Sequence, residues 1–529
     1  MGKLLRINYN FLSRLGKKQS VSFPMDFDWF KKDAASFNLD LCKASAGLAF
    51  SVWATEDDKG RDNSTILAET LRKAGFKDIL ASADYSLAPH PHTIGAVMGR
   101  RRIGLRTSVL ALAIRGGKYY AEWGGNFLLA NSGNHQGFSE VAKKLAEETR
   151  LYASKIGGTV FLWPVGFSRG GGVANLLSFY LRQYFPKIFC YCFEPPAGAT
   201  AESMAENPCP YIFNIIDPSD LVPLTAPESY GFRRYGVDLY YSDPLLLHSI
   251  VPDYPETCKR LGNISGELPR FATVKGDFID RLFGKAFPLD EDNQSVPCSL
   301  WVRELLHAFI PLAAPTREEY VKTLQPALVS LGTLVANQED PYKTLFDLIK
   351  DIVSDVLSSA NAFKLAIAGA IGEQHLAEKM QPLIEKRLIE SNKPLDKATL
   401  SLCSARIARS SVALMLHHPH VFATLTREEN LTYLLHVHSP EHTLAMLECS
   451  GELHRGGWRR VHFPKAFTVT PEDESLESVP CYKMKNECVC YLPMEKTFRF
   501  HAQNGNGVIW IEDRKYELKK GEDLLIKIE

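Results

Sequence analysis

Thr159-Val160-Phe161-Leu162-Trp163-Pro164-Val165-Gly166-Phe167-Ser168-Arg169-Gly170-Gly171-Gly172-Val173-Ala174-Asn175-Leu176-Leu177 is the stretch that decides the fold. Val160 to Val165 is a continuous apolar run, which suits a strand buried on both faces of a sheet. Ala174 to Tyr180 follows as a helix. Between them lies the pattern G-x-S-x-G, from Gly166 to Gly170. Alone the pattern is a weak signal; the order strand, sharp turn, helix is what gives it meaning. Such a turn holds its serine in a strained backbone, so its flanks must be small. Gly166, Gly170 and Gly171 meet that need. The reading predicts that Ser168 Oγ projects at the carboxyl end of a central strand. The helix N-terminus behind it offers N–H groups to a developing negative charge.

Outward from this turn, strands and helices alternate from about residue 105 to 245. Val109 to Ile114 is a second buried strand, Phe138 to Ile156 a helix, and Ile188 to Phe193 and Tyr211 to Ile216 further strands. The alternation predicts an α/β fold with a mostly parallel sheet and helices on both faces. Upstream, Leu39 to Ala54 and Ile66 to Ala74 read as helices, and Ile79 to Ala81 and Gly95 to Ile103 as strands. Residues 1–40 read as an irregular lead-in.

Downstream the texture is helical from about 290 to 430. Val321, Leu324, Leu328, Leu331 and Val335 line one helix face, and Leu345, Leu348, Ile352 and Val356 the next. These stripes read as packing faces. From 454 onward short β runs return, at Thr497 to Phe500, Val508 to Ile511 and Leu524 to Ile528. Asn504-Gly505-Asn506-Gly507 reads as a turn between two of them. The expected organisation is a core over 1–245, a helical insertion or cap over 246–430, a return to the core over 431–453, and a small all-β domain over 454–529.

Composition excludes several classes. A chain of 529 residues is too long for one ordinary core. Lys plus Arg equals Asp plus Glu at 61 each, so nothing favours a nucleic-acid partner. The one basic cluster, Arg100-Arg101-Arg102, is too short to change that. Met1 to Arg6 lacks the apolar region of a signal peptide, and Arg6 breaks the myristoylation pattern. No apolar run is long enough to span a membrane. The 11 cysteines are scattered, with C-x-C pairs at Cys190/Cys192 and Cys488/Cys490 but no zinc spacing. Buried free thiols and a reducing, cytoplasmic setting are expected. His417-His418-x-His420 lacks a carboxylate at helical spacing, so neither a metal nor a cofactor is expected.

Ala113-Ile114-Arg115-Gly116-Gly117, Trp123 to Phe127, Asn134-His135-Gln136-Gly137-Phe138, Gly166 to Gly170 and Asp220-Leu221-Val222-Pro223 occur in this order. Together they resemble the class 3 lipase family of α/β-hydrolases, over about residues 105–240. The resemblance implies an α/β-hydrolase core, a nucleophilic Ser168, an acid at Asp220 and an oxyanion donor at Gly117. Gly117 stands where the family has a hydroxyl residue, so its donor would be the backbone N–H alone. Arg169, following the serine, supplies the second N–H. His135 precedes the serine and reads as structural.

Asp217 rivals Asp220 as the acid; both lie in the loop after Tyr211 to Ile216, and the resemblance favours Asp220. The histidine has six candidates: His248, His307, His375, His418, His436 and His438. A triad histidine belongs on a loop just ahead of a helix. His438-Ser439-Pro440-Glu441 fits best, with Ser439 as N-cap and Pro440 at the first helical position. The segment also resembles the H-x-P-E pattern of some bacterial relatives. His375, ahead of Leu376 to Leu388, is the second choice.

The expectation is hydrolysis of a carboxylic ester, lipid-like, by Ser168, His438 and Asp220. An acyl ester or lipid is the expected partner, with room for peripheral contact with a lipid surface. Thioester or amide cleavage, acyl transfer to another alcohol, and an inactive binding or scaffold protein on the same frame remain alternatives.

Overall fold

The computed structural model describes residues 4–13, 17–52, 63–85, 90–117, 120–241, 254–261, 303, 306–307, 310–311, 313–326, 328–329, 372–390, 397–417, 434, 436–450, 453–456, 458–472, 479, 481–483, 487–512 and 514–529. Its first elements depart from the sequence reading. Residues 1–40 were expected to be irregular, yet β1 (Leu5–Leu12) and β2 (Lys18–Met25) form an antiparallel hairpin. Tyr9, Phe11, Val21, Phe23 and Met25 are buried on one side of it, while the intervening Asn10, Ser22 and Pro24 are more exposed. This is a period-two pattern, diluted by the Lys, Arg and Asn between. A short 3-10 helix at Phe27–Lys31 follows, capped by the Asp26 side chain.

The frame of the molecule is an eight-stranded sheet. Its strands are β3 (Lys77–Ala81), β4 (Ala96–Arg102), β5 (Thr107–Ile114), β6 (Thr159–Phe167), β7 (Cys190–Phe193), β9 (Ile212–Ile216), β11 (Val237–Tyr240) and β12 (His454–Arg455). β8 (Ala199–Thr200) and β10 (Phe232–Arg233) pair separately as a small ribbon. From β5 through β6, β7, β9 and β11 the neighbours run parallel. The edge pairs β3–β4, β4–β5 and β11–β12 are antiparallel. The architecture is therefore α/β with a mostly parallel central sheet, as expected.

The continuous apolar strands serve two cores at once. Val109, Ala111 and Ala113 of β5 pack on one face with α1 (Leu39–Ser51), α2 (Asn63–Lys73) and the N-terminal hairpin. Leu110, Leu112 and Ile114 pack on the other with α3 (Gln136–Ala153) and α4 (Arg169–Tyr180). Alternate residues point to opposite faces, so a strand covered on both sides must be apolar throughout. Pro164 sits inside β6, opposite Leu112. Leu162 exchanges hydrogen bonds with Lys187 and Phe189, so Pro164, two residues on, also faces β7. It has no N–H to give, and the ladder to β7 resumes only at Val165.

The described part of the insertion is helical, at Tyr254–Arg260, 317–326, Glu373–Glu390 and Lys397–His417. Leu331, Val335 and the whole Leu345–Val356 stripe lie outside the described residues. After the Pro440–Cys449 helix the chain pairs once more with the central sheet through β12. The C-terminal part is all β. One sheet has five strands and one has three. They share an apolar core in which Phe463 of one meets Phe500 of the other edge-on at 5.9 Å. The Asn504–Gly507 turn links strands Thr497–Ala502 and Gly507–Ile511, which belong to different sheets, so it is a crossover and not a hairpin. The cysteines described at Cys42, Cys190, Cys192, Cys209, Cys258, Cys403, Cys449, Cys481, Cys488 and Cys490 are free thiols. Among the described residues no helix is long and apolar enough to cross a membrane.

Phe30 ties the N-terminal segment to the frame. It is fully buried, with ring contacts to Trp163 at 5.2 Å and Phe189 at 5.1 Å. Phe30→Ala is expected to lower the unfolding free energy by about 3–5 kcal/mol, read as a shift in the denaturant midpoint at unchanged slope.

Candidate active site

Ser168 lies at the junction of β6 and α4 with φ 56° and ψ −128°. A non-glycine residue with positive φ is strained, and the surroundings must enforce it. They do so through backbone packing. A Cβ on Gly166 would stand 2.2 Å from the Gly170 carbonyl oxygen, and one on Gly170 would stand 2.5 Å from the Ile114 carbonyl oxygen. The Ser168 N–H donates to the Phe193 carbonyl at 2.9 Å, and its carbonyl accepts from Gly172 at 3.0 Å. Its side chain is left half-buried at the carboxyl end of the parallel strands.

His438 Nε2 lies 2.8 Å from Ser168 Oγ, and His438 Nδ1 lies 2.5 Å from Asp220 Oδ2. With Nδ1–H donating to the carboxylate, Nε2 is free to accept the serine proton. The imidazole also stacks on Phe167, centroids 4.8 Å apart. His438 is 13% exposed and the Asp220 side chain 0%. The acid's second oxygen, Oδ1, accepts the Val222 N–H at 2.8 Å, which fixes its orientation. Ser439 caps the Pro440–Cys449 helix, accepting from the His442 N–H, so His438 sits on a short loop pinned at its C-terminal side.

The other candidate histidines are elsewhere. His375 is exposed, 3.9 Å from Glu378, and His307 is exposed. His436 is buried with its ring 5.6 Å from that of His442. His248 and His418 lie outside the described residues, as does the His417-His418-x-His420 cluster's side-chain arrangement. Asp217, the rival acid, accepts from His442 Nε2 at 2.9 Å and not from His438.

Gly117 packs against Arg169: a Cβ on Gly117 would lie 3.7 Å from Arg169 Cβ. Trp123 Nε1 donates to the Gly117 carbonyl at 2.5 Å, holding that peptide in place. The Arg169 side chain runs inward and is buried, donating to Asn126 Oδ1 at 3.0 Å and to the Pro91 carbonyl at 3.0 Å. Burial lowers its pKa to about 10, so it stays charged at neutral pH. Nearby, Arg115 pairs with Glu122 at 2.5 Å with neither side chain exposed, and Thr93 Oγ1 donates to the same carboxylate. Burial raises the Glu122 pKa and the two arginines oppose the rise. Behind Asp220, Glu194 is buried at the end of β7 and accepts the Asp217 N–H at 2.8 Å. Burial, then Asp220 and Asp217, push its carboxyl well above the usual range.

The arginine–glutamate cluster, Glu194 and the His442–Asp217 pair were not foreseen. The only sequence signals were the spacing His438 to His442, one helical turn, and Asp217 to Asp220, one loop. Among the described residues no cluster of His, Cys, Asp and Glu has metal-binding geometry.

Comparison with known proteins finds partial similarities to lipases. No family model matches the chain. Human diacylglycerol lipase-alpha is 33% identical over 106 residues, 19% of this chain and 10% of that protein. The rat and mouse proteins match to the same extent. The chain thus spans about a tenth of the length of the curated relatives it matches. Among solved structures, a fungal lipase–inhibitor complex is 16% identical with a TM-score of 0.30, covering 39% of this chain and 81% of that one. A triacylglycerol lipase described by its serine-protease-like triad is 19% identical with a TM-score of 0.23, covering 29% and 63%.

His135 supports the site from below. It caps α3 through Nδ1, donates from Nε2 to the Asn126 carbonyl at 3.1 Å, and stacks on Phe138 at 3.8 Å. Burial lowers its pKa to about 3. The unfolded chain binds a proton there below about pH 6.5, and the folded chain does not until about pH 3. Acid therefore favours the unfolded state across that window. His135→Asn keeps a capping oxygen and removes the titration. The stability gap between wild type and variant is expected to move in the variant's favour by up to about 1.4 kcal/mol per pH unit from 6.5 downward, measured by denaturant titration.

Proposed function

We propose that this chain is a serine carboxylic-ester hydrolase, lipase-like, acting through Ser168, His438 and Asp220. The observation that carries the reading is the unbroken line from Ser168 Oγ to His438 Nε2, 2.8 Å, and from His438 Nδ1 to Asp220 Oδ2, 2.5 Å, at a serine held with φ 56°. In the proposed cycle Ser168 Oγ attacks the ester carbonyl carbon while His438 takes its proton. Asp220 orients the imidazole and stabilises its cation. The N–H groups of Arg169 and Gly117 hold the oxyanion. As the tetrahedral adduct collapses, the imidazolium returns the proton to the leaving alcohol. Water, deprotonated by His438, then attacks the acyl-enzyme and releases the acid. No cofactor enters this cycle.

The substrate class proposed is an acyl ester of glycerol. The similarity of one segment to diacylglycerol lipase-alpha supports it, as does the insertion. Its described part binds the loop that follows the Trp123 segment: Tyr320 donates to the Phe127 carbonyl and the Leu129 N–H donates to Gln325. The described helices of this insertion are read as part of a cap beside the mouth, able to shelter acyl chains from water. The free thiols favour a reducing, cytoplasmic setting.

Ser168→Ala is expected to abolish hydrolysis of p-nitrophenyl esters and labelling by a fluorophosphonate, with an unchanged circular dichroism spectrum. The serine is half-buried in a turn, so the substitution opens no core cavity. A folded variant that still hydrolyses the ester removes the proposal, and a wild-type chain that takes no label points to a binding protein on this frame. Activity is also expected to rise from acetate to octanoate esters, each sheltered methylene contributing up to about 0.8 kcal/mol. A flat or falling series would redirect the substrate to small esters or another acyl donor. Direct assay of diacylglycerol in mixed micelles then tests the head group.

A further inference from the structure

We propose that the buried pair His442–Asp217 is a positioning device for the Ser168–His438–Asp220 line, an inference that rests on the hydrolase reading above. The geometry is a second histidine–aspartate contact parallel to the first. Asp217 and Asp220 are the ends of one tight turn after β9, closed by the Asp220 N–H donating to the Asp217 carbonyl at 3.1 Å. Each carboxylate places one oxygen on backbone and the other on a histidine. Asp217 Oδ1 accepts from Ser219 N–H at 2.7 Å and Asp217 Oδ2 from His442 at 2.9 Å. Asp220 Oδ1 accepts from Val222 N–H and Oδ2 from His438.

The two histidines are four residues apart, about one helical turn, with Ser439 capping between them. The acid turn and the histidine loop, 218 residues apart at His438 and Asp220, are therefore joined at two points. One contact alone leaves rotation about it free; two fix the plane of the His438 ring against Asp220. Phe167 closes the third side by stacking on that ring.

Burial separates the roles. The His442 and Asp217 side chains are 2% and 3% exposed, whereas His438 is 13% exposed. His442 thus cannot reach substrate and acts only through the turn it holds. Apolar residues of similar volume often stabilise a fold as well as a buried polar pair, whose burial costs desolvation. Asp220 and Glu194 lie beside this pair, and the Glu194 carboxyl accepts the Asp217 N–H at 2.8 Å. A directional bond at this spot fits a geometric task.

The test uses the full chain with His442→Leu, His442→Gln and Asp217→Asn. A glutamine amide reaches the position of Nε2 and can still donate to Asp217. The Leu variant is expected to lose about 100-fold in kcat on a p-nitrophenyl ester. Its KM is expected to stay within about twofold, because no substrate contact is removed. The Gln variant restores most of the rate. If the Leu variant does not fold, Asp217→Asn, which keeps the side-chain shape and the acceptor for Ser219, reads the same effect. A second readout needs no turnover: the far-downfield proton resonance of the His438–Asp220 hydrogen bond, assigned with His438→Gln, should broaden in the Leu variant and return in the Gln variant. A Leu variant with unchanged kcat, a loss carried by KM, equal losses in Leu and Gln, or a resonance unaffected by Leu would each overturn the proposal. A wild-type chain that hydrolyses no ester would instead sink the hydrolase reading, with the resonance still deciding whether His442 positions His438.

Discussion

The backbone of Ser168 is forced into a positive φ because two strand ends and a helix start meet there with no room for side chains. Gly166 lies against the Gly170 carbonyl and Gly170 against that of Ile114, each closer than any Cβ allows. The turn cannot relax without separating β5, β6 and α4, which share the two cores of the molecule. The serine's strain is thereby offset by the packing of the whole sheet. It aims Oγ out of the carboxyl edge, toward whatever the later chain brings there. It also starts α4 at Arg169, which places that N–H in the helix's first turn, where N–H groups have no intrahelical partner.

Two buried polar groups flank this turn, and they divide the work. On one side Arg169, Asn126, Arg115, Glu122 and His135 tie the Gly117–Phe127 segment to the residue after the serine. Charges are expensive to bury alone, so each is met by a carbonyl, an amide or an opposite charge. The result joins the two N–H groups proposed for the oxyanion through one shared set of side chains. On the other side Glu194, Asp217 and Asp220 gather at the ends of β7 and β9, where parallel strands finish together. Burial, then the neighbouring Asp220 and Asp217, push the Glu194 carboxyl well above its usual range, while each aspartate holds a histidine.

The histidine arrives from far along the chain. His438 enters at the edge of the sheet just before the Pro440–Cys449 helix, and β12 then pairs with β11. Leu444, Ala445, Met446 and Leu447 of that helix join the same apolar core as Trp163, Val165 and Phe167 of β6. The imidazole is held by this packing as well as by its hydrogen bonds. Distance in sequence is thus no obstacle: the helix is anchored to the strand that carries the serine, and the intervening residues need only return to the same edge.

The sequence by itself determined the strand–turn–helix at 159–180, the two-faced strands and their mostly parallel arrangement, because those depend on local pattern: continuous apolar runs, glycines where backbone crowds, and alternation of elements. Ser168 was legible for the same reason. The His438 loop was legible in its cap and proline, though six histidines shared the claim on the serine. What only the tertiary structure decided was which groups face each other. Asp217 and Asp220 look alike in sequence, and their separation into two histidine partners follows from how one turn meets one helix. The N-terminal hairpin was missed because its alternation was hidden under charged and amide residues that face outward. The Arg169–Glu122 cluster joins segments dozens of residues apart, and no spacing in a single chain encodes such a meeting; it exists because folding removes water from those side chains and leaves them only one another to bond.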